Sequence, residues 1–192
     1  MWARALLVLI LIANASAQAR SVISYPRDYK TNFVNYALVE HSDGISRDLY
    51  VSRDAIDALK RDPRLHEFPV GVLFALDVYS AKQLGRDPKT RAPRFEVTPE
   101  GRLVRGKDER TLHLMQKIRP GFGSQNWIFG GFDPVTAEPL KLQLPGDCLL
   151  CHQEAVVSDM AFSINLLKQF VTSAAVQYSF CPQPGRKPCP FE

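Results

Sequence analysis

Apolar and polar residues change their period along this chain, and each change marks an element. Residues 32–40 alternate in part, with Phe33, Tyr36, Leu38 and Val39, and residues 45–51 form a second β-prone run. Ser42-Asp43-Gly44 stands between them, and an Asp-Gly pair in that place predicts a β-hairpin. Ser52 then reads as the N-cap of a helix over 53–60, with Asp54 in its first turn. Ala55, Ile56, Ala58 and Leu59 give that helix an apolar face, and Asp62-Pro63 stops it. Over 72–80, Val72, Phe74, Leu76 and Val78 fall on one face and Leu73, Ala75, Asp77 and Tyr79 on the other. Both faces are largely apolar, which predicts a central strand. Residues 82–94 are basic and broken by Gly85, Pro88 and Pro93, so they read as a surface loop. Short strand pieces are expected at 95–97 and 103–104, and longer strands at 111–118 and 126–132. The last of these sets Trp127, Ile128 and Phe129 beside Gly130-Gly131, as suits a strand against a flat partner, or a bulge. From 160 to 178 the period becomes helical, through Met160, Ile164, Leu167, Val171, Ala174 and Tyr178. The sum is an α+β fold: a mostly antiparallel β-sheet with flanking helices.

The two ends differ from the middle. Met1-Trp2-Ala3-Arg4, an apolar run over 5–13 and the small residues Ala15, Ala17 and Ala19 have the layout of a secretory signal peptide over 1–19. The run is short for a membrane span, so after cleavage the protein is expected to be exported, in a bacterium to the periplasm, with no membrane attachment. Residues 181–192 form a proline-rich tail holding Cys181 and Cys189, a pair expected to close a small disulfide in an exported protein. Residues 20–180 remain as one domain, long enough for a real core. Hydrophobic residues at 45% and charged ones at 23% are ordinary for a globular protein. The net charge of +4 comes from interspersed signs, as in Arg47-Asp48 and Arg53-Asp54, with no basic stripe interleaved with aromatics, and this argues against a nucleic-acid partner.

The chemistry is concentrated at Cys148-Leu149-Leu150-Cys151-His152. C-x-x-C-H is the attachment signature of c-type haem, here on a C-terminal helical segment that Asp147 would cap. Cys148 and Cys151 would add across the two porphyrin vinyl groups, and His152 would ligate the iron. Haem attachment outside the cytoplasm agrees with the signal segment at the other end of the chain. The same residues admit a redox C-x-x-C, a zinc half-site or a plain disulfide. With haem, function turns on the sixth coordination position. An open, apolar position would bind small ligands such as nitric oxide or peroxide. A filled one would make an electron carrier, with Met115 as the best distal candidate. Met160, eight residues after His152, is badly placed to reach the opposite haem face.

Phe68-Pro69-x-Gly71 before an apolar strand, the aromatic stretch over 127–132, the haem motif and Asp159-Met160-Ala161-Phe162 together resemble the cytochrome P-460 family, which includes cytochrome c′-beta. The resemblance covers roughly residues 25–164. It implies an exported, monohaem, mostly antiparallel β protein with one covalent haem c per chain and five-coordinate iron. It also implies small-ligand binding or redox activity, a redox partner protein and, as often in the family, a homodimer. Members bind nitric oxide or oxidise hydroxylamine, and some are peroxidases. The hydroxylamine-oxidising members bond a lysine to the porphyrin from the strand after Phe-Pro-x-Gly. Here that strand has no lysine; Leu76 or a neighbour stands near the place and Lys82 comes later. The cross-linked mechanism is therefore not expected, and Phe74, with Leu76, is a candidate lining residue of an apolar distal pocket.

Overall fold

The computed structural model describes residues 23–141 and 152–182, without the side chains of residues 108–110. The expected signal segment, Asp147, Cys148, Cys151 and Cys189 lie outside the described residues. In chain order the elements are α1 (Tyr29–Asn32), β1 (Val34–His41), β2 (Ile45–Val51), α2 (Arg53–Arg61), β3 (Leu73–Ala81), β4 (Gln83–Arg86), β5 (Pro93–Phe95), β6 (Arg105–Lys117), β7 (Trp127–Phe132), α3 (Ile164–Ser173) and β8 (Gln177–Cys181). Short 3-10 turns lie at Ser124–Asn126 and Val156–Ser158.

Six strands form one sheet in the order β7-β6-β3-β2-β1-β8, and β4 pairs with β5 in a separate ribbon. Every neighbour in the large sheet is antiparallel except β1 and β8. The hairpin over Ser42-Asp43-Gly44 forms as the sequence indicates. Gly44 takes φ +85°, a conformation that favours glycine, and its N–H closes the turn on the His41 carbonyl at 3.0 Å. β3 is central, between β2 and β6; Phe74, Ala75 and Asp77 are buried, while Leu76 and Val78 are half-buried.

Residues directly opposite in antiparallel strands share a face. Val51, Phe74, Met115 and Phe129 form one row across the sheet, Leu49, Leu76, His113 and Gly131 the next, and Arg47, Val78 and Thr111 a third. This face packs on α2 and α3 through Ala55, Ile56, Leu59, Leu166 and Leu167. The opposite face, with Tyr50, Ala75, Leu112, Leu114 and Phe132, is covered by Ile23, Tyr25, Tyr29 and Phe33 from the N-terminal segment. Asp77, buried on that second face, accepts hydrogen bonds from the Tyr29 and Tyr79 hydroxyls at 2.7 and 2.8 Å. Gly130 has no side chain for a reason: a Cβ there would collide with Ile23 Cγ2.

Three expectations need correction. Ser52 stands at the N-cap of α2, but its hydroxyl does not bond to the helix; it accepts the Leu73 N–H at 3.1 Å and ties the helix start to β3. Residues 82–94 are not wholly loop. β4 and β5 pair around the Asp87 turn, whose carboxylate accepts the Lys89 and Thr90 N–H groups, and the Phe95 ring lies over Gly44. The helix expected over 160–178 is shorter. Asp159 and Met160 have positive φ, α3 begins at Ile164, and it ends where Ala174 turns left-handed and its N–H bonds the Phe170 carbonyl. Beyond Ala174, β8 satisfies the backbone edge of β1 instead, with Ala37 opposite Gln177 and His41 opposite Cys181. The apparent helical return at Tyr178 is a coincidence of spacing: Tyr178 and Phe180 alternate on an edge strand.

Candidate functional site

His152 and Gln153 are helical, a turn over 154–155 leads on into the 3-10 segment, and the His152 imidazole is held on three sides. Phe129 of β7 and Phe162 lie against the ring, each with centroids 5.0 Å away. Nδ1 is 2.6 Å from the Met160 carbonyl oxygen. A carbonyl only accepts, so Nδ1 carries the hydrogen and Nε2 keeps its lone pair. Burial pulls the His152 pKa below its ordinary value, and the bond to the Met160 carbonyl only partly offsets this. The ring is therefore neutral, oriented and able to offer Nε2 to a metal.

The carbonyl that fixes the ring is itself fixed. Asp159 (φ +50°) and Met160 (φ +70°) are successive non-glycine residues in the left-handed region. Such a turn persists only where its surroundings over-determine it. Here Asp159 Oδ2 accepts the Phe68 N–H at 2.8 Å, and Oδ1 accepts the Trp127 indole N–H at 3.1 Å. Lys117 Nζ donates to the same two oxygens at 2.6 and 2.7 Å, and to the Gly121 carbonyl at 2.8 Å. Both side chains of this ion pair are fully buried. Removing either partner would strand a charge in the interior, at about 3–5 kcal/mol. The Met160 side chain is fully buried in the core.

Phe74, expected at a pocket wall, is packed in an aromatic cluster with Phe68, Trp127 and Tyr36 at centroid distances of 5.1, 6.1 and 6.5 Å. Met115 is buried in the same core. Beside them Leu76, Val78, Thr111 and His113, with Phe129 and Phe162, are only half-buried. Among the described residues, the helices thus cover one end of the sheet face and leave a half-buried strip next to the His152 ring. His113 Nε2 lies 3.2 Å from Thr111 Oγ1 on that strip, and further along the face Arg47 Nη1 donates to His41 Nε2 at 2.9 Å. Lys82 is exposed and ion-paired with Glu96.

Sequence reasoning missed Lys117. It stands on a strand with ordinary alternation, and only the partner it finds in Asp159, 42 residues on, marks it out. The structure also explains two stretches singled out in the sequence. In Asp159-x-x-Phe162, the aspartate binds the buried lysine and the phenylalanine packs on the imidazole. In Phe68-Pro69-x-Gly71, the Phe68 N–H reaches Asp159, and the Gly71 N–H bonds the Lys117 carbonyl at 2.9 Å.

The family model for Cytochrome P460 matches residues 26–163, which takes in both stretches, strands β1 to β7 and the haem motif. No curated protein matches the chain. The chain belongs to the cytochrome P460 family and is thereby a haem-binding c-type cytochrome.

Proposed function

We propose that this is an exported monohaem cytochrome in which Cys148 and Cys151 hold the haem by thioethers and His152 Nε2 ligates the iron, leaving the sixth position to small ligands such as nitric oxide or peroxide. The observation that carries this reading is the imidazole clamp: Nδ1 on the Met160 carbonyl, with Phe129 and Phe162 tilted against the ring. A haem bound there supplies a coordination site and one-electron chemistry. The protein's part is to orient the imidazole, exclude water and wall the open position. The half-buried strip of Leu76, Val78, His113 and Phe129 suits a flat apolar group, with Leu76 at about the place of the family's cross-linking lysine. Burial of Met115 in the core supports an open position rather than a thioether ligand.

Nitric oxide needs no hydrogen bond to bind ferrous iron, and an apolar wall tolerates it. Peroxide chemistry needs a group that can take and return a proton. His113, on the strip, is the residue for that role. Export to the periplasm, an electron-exchanging partner protein and a Cys181–Cys189 disulfide belong to the same reading. Cys181 is fully buried at the end of β8, with its sulfur in disulfide form. The test is the optical spectrum of ferric and ferrous protein with carbon monoxide. A high-spin ferric form with prompt carbon monoxide uptake supports the proposal; a methionine-to-iron charge-transfer band contradicts it.

A further inference from the structure

The geometry points to the buried Lys117–Asp159 pair as a positioning device that sets the donor strength of His152 toward iron, and so the reduction potential. This rests on the proposed ligation by His152. The link is short and entirely within the chain. Lys117, at the last position of β6, grips both oxygens of Asp159 at 2.6 and 2.7 Å. Trp127 and the Phe68 N–H take further lone pairs of the same carboxylate. The grip holds Asp159 and Met160 in their left-handed turn. That turn aims the Met160 carbonyl at His152 Nδ1 with a 2.6 Å bond. A short Nδ1–H···O bond shifts electron density to Nε2, makes the imidazole the stronger donor and favours ferric over ferrous iron. A buried ion pair contributes little net stability compared with apolar packing of the same volume. Its placement directly behind the carbonyl that orients the ring gives it a different use.

The experiment uses the holoprotein and three variants. Asp159→Asn keeps the size and tolerates a left-handed backbone but removes the charge. Lys117→Met removes the cation. Trp127→Phe removes one donor from the carboxylate and keeps the ring. The iron–imidazole stretch is read by resonance Raman on the ferrous protein, and the midpoint potential by titration. The first two variants should lower the stretching frequency and Trp127→Phe should lower it by less; the potential should rise in Trp127→Phe, which changes no charge. Wild-type frequency in all variants that carry haem would overturn the inference, even if the potential moves, because a buried charge can move the potential through space. If Asp159→Asn and Lys117→Met fail to accumulate, Trp127→Phe decides alone: a shift supports the inference and a wild-type frequency overturns it. Absence of an iron–imidazole band in the wild type would instead refute the ligation by His152.

Discussion

At the scale of the residue, the neutral state of His152 is a consequence of burial. Its folded pKa lies below the ordinary 6.5, so the folded chain resists a proton that the unfolded chain accepts. Stability is unaffected by this group above about pH 6.5 and falls as pH drops from there toward the lower folded value. Without haem, stability measured by denaturant titration should therefore owe no pH dependence to this ring above about pH 6.5 and should decline below it; a decline of the same size in His152→Ala would take the ring out of the effect. His152→Ala should keep the haem attached through the two cysteines while changing spin state and ligand affinity, and an unchanged spectrum would remove His152 as ligand. His113→Leu separates the two small-ligand chemistries. Nitric oxide binding should be retained, while peroxide turnover drops by roughly 10²-fold, the ordinary worth of a proton-transfer group. Equal peroxide turnover in this variant would take His113 out of the mechanism.

At the scale of the element, the pairing of β8 with β1 matters most for integrity. β8 is an edge strand with Tyr178 and Phe180 exposed, and it is fastened at its far end by Cys181 beside His41. Cys181→Ser should lower stability by about 2–3 kcal/mol, by freeing in the unfolded chain the small loop proposed to close on Cys189. The haem spectrum should not move; a spectral change would tie the tail to the haem pocket. The hairpin, α2 and the central strand were legible in the sequence because each is set by local signals: Asp43-Gly44, the Asp62-Pro63 stop, and alternation on two apolar faces. β8 was not. Parallel pairing with β1 is decided by an open backbone edge 140 residues away, which leaves no mark in the spacing of Val176 to Phe180. The Ser52 hydroxyl was legible as a cap position but not as an acceptor for Leu73, a choice made by tertiary contact.

At the scale of the whole molecule, one sheet serves two purposes. The face toward Tyr29 and Tyr50 is sealed by the N-terminal segment. The other face carries an aromatic core at one end, around Phe74 and Trp127, and a half-buried strip beside His152 at the other. The C-x-x-C-H signature and the Asp159-x-x-Phe162 step pointed to this site in the sequence. The buried Lys117 that grips Asp159 could not be read there, because its role exists only once β6 is brought against the turn at Asp159. The most direct test of the account is the mass and absorption spectrum of mature protein secreted from a cell able to mature c-type cytochromes. The account predicts a chain heavier than its polypeptide by one haem, with a Soret band that survives denaturation and extraction. A colourless protein with the mass of polypeptide alone would contradict it.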